Sequence, residues 1–142
     1  KDSKLEENKI NKFINFENKK NIYKLSFYKE MMRKINIKKI KLLNKLLKLV
    51  SKGYVISGIG AAAKSNTFLT YYGLNHKIIN FLTDASKFKQ KKYTPVTRIV
   101  IKDDNELIKY KKIACIILSW NISNLVVNKI KKLNRNIKIL YT

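Results

Sequence analysis

The stretch GYVISGIGAAAKSNT, Gly53–Thr67, decides how this chain is read. Tyr54–Ile59 is an apolar, β-branched run of strand length with glycine at both ends, which predicts a buried strand. Gly58-Ile-Gly60-Ala61 follows as a tight turn, and from Lys64-Ser65-Asn66-Thr67 the spacing turns helical. A strand that passes through a Gly-x-Gly turn into a helix leaves backbone N–H groups unpaired at the turn. With the positive end of the helix dipole, those groups suit a phosphate or another anion. The bend is therefore the expected ligand-holding point.

The chain has 142 residues, which suits one domain with a respectable core. No apolar run approaches the roughly 18 residues that span a bilayer, and no secretory signal is visible. Cys115 is the only cysteine, so a disulfide framework or multi-cysteine metal site within the chain is excluded, and a cytoplasmic setting is expected. The first residue is Lys1 and not methionine, which suggests a piece of a longer protein. The formal charge of +23 points to anionic partners, but arginine occurs only at Arg33, Arg98 and Arg135. Lysine lacks arginine's planar fork, so the charge is read mainly as composition, with nonspecific attraction to nucleic acid.

Residues 1–22 read as a connector or frayed helix from a missing upstream domain, and residues 23–142 as the domain proper. Ser26–Ser51 has apolar residues at helical spacing (Tyr28, Met31, Ile35, Leu42, Leu46, Val50), with Ser26 as N-cap and Gly53 as the stop. Core packing is favoured over a membrane-surface role for this lysine-rich helix. Asn66–Tyr72 is predicted helical, Ile78–Thr83 a strand, and Asp84 the carboxylate at that strand's end. Arg98–Ile101 reads as an edge strand, followed by a short helix capped by Asp103 or Asp104. Ile113–Leu118 is apolar throughout, as in a strand buried on both faces of a parallel sheet. A helix over Ile122–Leu133, capped by Asn121 or Ser123, and a strand over Asn136–Tyr141 complete a small doubly wound, mainly parallel Rossmann-like α/β sheet behind a long amphipathic helix. His76 is expected in solvent, Cys115 packed and inert, and Trp120 either core or a stacking wall. No catalytic triad, carboxylate pair or metal cluster has workable spacing, so no catalytic residue and no metal ligand is assigned.

Gly58, Gly60, Ala63 and Asp84 also follow the pattern of a nicotinamide-binding unit, in which the carboxylate bonds a ribose about 20 residues beyond the turn. Three segments resemble a more specific family. GIGAAAKSNTFLTYYGL, DASKFKQKKYTPVTRIVI and ILSWN stand in the order seen in the C-terminal domain of SAM-dependent sugar C-methyltransferases. The resemblance implies an N-terminal zinc segment and a central domain that holds S-adenosylmethionine and the catalytic base, both outside this chain. It also implies a C-terminal domain that helps hold a nucleotide-linked deoxysugar. By that resemblance Gly58, Gly60, Ala61, Lys64, Asn66, Thr67, Asp84, Lys89, Gln90, Tyr93, Trp120 and Asn121 are the substrate-binding positions. Amides from Gly60 to Lys64 would face an anion, and Lys89, Gln90 and Tyr93 would close over it. The chain departs from the family at Ala62, where proline is usual, and at Lys91 and Val96, where glycines are. Neither Lys91 nor Val96 readily takes the positive φ such turns need. A nicotinamide-binding domain and a basic nucleic-acid-binding module are the rival readings.

Overall fold

A computed structural model describes residues 2–141, with side chains from Glu6 onward. The chain divides into two compact units at Ile40/Lys41. In the first, α1 (Asp2–Lys19) ends in a turn where Asn21 takes φ 55°, and α2 (Leu25–Val50) then begins and runs on into the second unit. Ser26 is therefore not a cap but lies within the first turn of α2. Within this unit Tyr23 Oη donates to Glu17, and Arg33 grips Glu30 through two N–H groups at 2.7 and 2.8 Å. Tyr28 and Met31 are exposed, contrary to the expected apolar face.

The second unit is an α/β sheet, all parallel, in the order β3-β2-β1-β4-β5. Its strands are β1 (Val55–Ile59), β2 (Phe81–Thr83), β3 (Ile101–Lys102), β4 (Ile113–Ile117) and β5 (Lys138–Leu140). Side-chain alternation sorts the core into two layers. Along β4, Ala114 and Ile116 face one layer with Leu42, Leu46 and Leu49 of α2 and Leu69 of α3 (Ala63–Tyr72). Ile113, Cys115 and Ile117 face the other layer, with Leu107 and with Val127 and Ile130 of α4 (Ser123–Leu133). Both faces of β4 are thus covered, which is why its sequence is apolar without interruption. Leu49, and not the expected Val50, completes the buried stripe of α2, because at about 100° per residue it falls back in line with Leu42 while Val50 lies well round the helix.

Several boundaries differ from expectation for local reasons. α3 starts at Ala63, where Ser65 Oγ accepts from the Ala62 amide, and stops at Gly73, which takes the left-handed region. β2 loses the predicted Ile78–Asn80, because Ile78 and Ile79 both donate to Asn75 O in a turn. Arg98–Val100 does not form the parallel edge strand, because the preceding loop folds back on it: Thr94 N donates to Ile99 O, and Tyr93 bridges Val100 antiparallel. Asp103, not Asp104, caps a 3₁₀ helix, Asp104–Lys109, by accepting from Asn105 N. Neither Asn121 nor Ser123 caps α4, which is entered through a 3₁₀ turn, Trp120–Ile122.

Among the described residues no helix is long and apolar enough to cross a membrane.

Candidate functional site

The strand order reverses between β1 and β4, so the carboxyl ends of these strands flank a crevice of the kind in which open α/β sheets bind ligands. The two glycines of the bend serve different ends. Gly58 lies inside β1, where a Cβ would stand 2.6 Å from Leu82 Cδ2 and 2.8 Å from Leu118 Cδ1. Its place in the structure is inside the sheet, where its missing side chain lets Leu82 and Leu118 pack close. Gly60 forms the turn itself, with φ 96°, and a Cβ there would overlap Ser119 Oγ.

The amides expected to face an anion are largely occupied. Gly60 N donates to Thr83 O at 2.7 Å, Ala61 N to Asp84 Oδ2 at 2.8 Å, and Ala62 N to Ser65 Oγ at 3.2 Å. Only the Ala63 and Lys64 amides lack a partner among the described residues. The fold satisfies its own donors first, as buried backbone must.

Asp84 takes one of these amides and holds two more groups besides. Its Oδ2 also meets Lys89 Nζ at 3.1 Å, and its Oδ1 accepts from Ser86 N at 2.9 Å. Burial pushes this carboxyl up, but the Ser86 and Ala61 amides and the Lys89 ammonium together outweigh it and hold it below the usual carboxylate value. Gln90 Nε2 donates to Asp84 O and to Asp103 Oδ2. Asp84, Lys89 and Gln90 thus latch the second loop onto the bend and do not point a free carboxylate at a ribose. That geometry disfavours the nicotinamide reading.

Lys64, Trp120 and Asn121 do converge. Lys64 Nζ donates to Asn121 Oδ1 at 2.5 Å and sits 4.9 Å from the centroid of the Trp120 ring. Trp120 is half exposed, which makes it a wall and not core. The commitment of Asn121 to Lys64 also explains why it does not cap α4. Asn66 turns a buried, unpartnered Oδ1 inward from α3, while Thr67 is exposed. Tyr93 is not brought to this group, because the loop carries it back to the start of β3.

Residues that sequence reasoning missed line a cleft of about 350 Å³ beside the bend. Thr83 and Ser119 close its polar end next to Gly60 and Asp84, and Ile122, Leu125 and Val126 form an apolar wall. Thr83 Oγ1 is buried and has no hydrogen-bond partner among the described residues. Asp104 and Lys129 also line the cleft and pair at 2.6 Å. Their separation of 25 residues left no signal in the sequence; Thr83 could have been flagged as a polar residue ending an apolar strand. Cys115 lies under the sheet with its thiol pushed up to about 12 by burial, so it is inert. Among the described residues no group of three or more His, Cys, Asp and Glu side chains is placed to hold a metal ion.

The family model of the C-methyltransferase C-terminal domain matches residues 1–140, and the chain belongs to that family. It is also 28% identical over 88 residues to C-methyltransferase NovU of Streptomyces niveus, an alignment that covers 62% of this chain and 21% of that protein. The chain therefore spans about a fifth of the length of that relative.

Proposed function

We propose that this chain is the substrate-side domain of a SAM-dependent C-methyltransferase and holds a nucleotide-linked deoxysugar for an upstream methyltransferase domain in the cytoplasm. The observation that carries this reading is the meeting of Lys64 with Trp120 and Asn121 at the carboxyl ends of β1 and β4. An ammonium at this place neutralises phosphate oxygens, the Trp120 face stacks on a ring, and Asn121 holds the ammonium in position. The adjoining cleft offers the Ser119 hydroxyl to sugar oxygens. Asp84 is committed to Ala61, Ser86 and Lys89, and by the family resemblance the domain that holds S-adenosylmethionine lies upstream. The methyl donor is accordingly assigned to the upstream domain. The work of this domain is binding and orientation.

Calorimetric titration of the chain with a dTDP-deoxysugar and, separately, with NADH tests the reading. Saturable heat with the sugar nucleotide alone is expected; heat with NADH alone would establish the rival. Binding to DNA or RNA that persists at physiological salt would favour the nucleic-acid module instead.

A further inference from the structure

A second hollow, of about 690 Å³, opens at the other end of the sheet, where His76, Asn80, Tyr93, Arg98 and Val100 meet. Asn80 immediately precedes β2 and Val100 immediately precedes β3, so the hollow lies at the amino ends of these strands, opposite Asp84. The turn that carries Arg98 is held in a costly conformation. Thr97 N donates to Pro95 O at 2.6 Å, closing a three-residue γ-turn around Val96 at φ 62°, the disfavoured hand of that turn. Arg98 itself has φ 51°. Buried bonds impose both values: the Thr94 and Thr97 hydroxyls meet at 2.7 Å, and Thr94 Oγ1 accepts from Ile99 N at 2.8 Å. The His76 amide donates to Thr97 O at 3.2 Å and ties the neighbouring loop to the same tip.

Strain maintained in this way is a feature of ligand-holding segments. No carboxylate lines the hollow. Arg33 is paired with Glu30, but the Arg98 guanidinium and the His76 imidazole have no hydrogen-bond or ion-pair partner among the described residues. Asn80 Oδ1 accepts from Ile56 N, which leaves its amide N–H groups for another acceptor. Tyr93 is 67% exposed and offers an aromatic face. An arginine fork suits phosphate oxygens in a bidentate grip, an imidazole always has an N–H to donate, and an exposed ring takes a planar base. The volume lies within the range of about 300–1,000 Å³ usual for small-ligand sites.

We propose that this hollow is a second binding site, for a nucleoside monophosphate, with the phosphate on Arg98 and His76 and the base on Tyr93. It is distinct from the Lys64 cluster and does not depend on the function proposed above. NMR titration of the 142-residue chain with AMP, inorganic phosphate and adenosine tests it. AMP is expected to shift the His76, Tyr93 and Arg98 signals saturably at about 150 mM salt, where surface attraction is largely screened. Arg98→Gly, which a positive φ accommodates, is expected to weaken AMP roughly tenfold or more by removing a charged hydrogen-bond donor. Lys64→Ala should leave AMP affinity unchanged. Adenosine binding as tightly as AMP, an Arg98→Gly variant with unaltered affinity, or shifts that scatter over lysines and vanish with salt would each overturn the proposal.

Discussion

Val96→Gly should make the protein more stable, although it removes an apolar side chain. Val96 sits at φ 62° with 81% of its surface already in water, so truncation forfeits little burial. A non-glycine residue held in this region costs about 1–3 kcal/mol, and β-branching places valine toward the upper part of that range. Glycine gives back about 0.4–1 kcal/mol by loosening the unfolded chain. The net gain is then about 1–2.5 kcal/mol, or about 3–8 °C in melting temperature for a chain of this length. Urea denaturation followed by circular dichroism should show a higher midpoint at unchanged slope. Val96→Ala is the control: it removes the same exposed methyl groups but keeps a Cβ at positive φ, so it should gain much less. Lys91→Gly should gain less than Val96→Gly, because the unbranched lysine at φ 65° carries less strain. A lower midpoint for Val96→Gly, or equal gains for glycine and alanine, would refute the assignment of strain to this turn.

Gly60→Ala should destabilise the fold by about 2–4 kcal/mol, from a forbidden φ and a Cβ driven into Ser119. Adding Ser119→Ala, which removes the clashing hydroxyl, should restore part of the loss in a double-mutant cycle. Glu106 is held at about 2 by hydrogen bonds from Lys109 and Lys102, well below its ordinary value of 4.5. A depressed folded-state value means that the unfolded chain binds the proton more readily. The contribution of Glu106 is therefore whole above about pH 5 and lost as the pH falls toward 2. Denaturation midpoints measured between pH 6 and pH 3 should fall less steeply for Glu106→Gln than for the parent chain.

The elements legible in the sequence were those whose cause is local. The run Val55–Ile59 between glycines, the unbroken apolar segment from Ile113, and Gly73 as a helix stop each carry their reason in neighbouring residues. The family likeness, too, was visible in three short segments. The second loop was not legible, because Lys91, Val96 and Arg98 all adopt positive φ against their own preferences and turn Arg98–Val100 into half of a hairpin. Asp84 was correctly placed at the end of β2 but expected to face a ligand. Its partners include the backbone amides of Ala61 and Ser86, and backbone donors leave no trace in residue identity. The contact of Lys64 with Asn121 spans 57 residues and follows only from the parallel pairing of β1 with β4.

That contact bears the weight of the proposed function. If the proposed methyltransferase carries this domain, steady-state kinetics of its Lys64→Ala variant should show KM for the sugar nucleotide raised about tenfold or more, as expected for losing a charged hydrogen-bond donor. The kcat and the KM for S-adenosylmethionine should stay close to those of the parent enzyme. An unchanged KM for the sugar nucleotide would contradict the account.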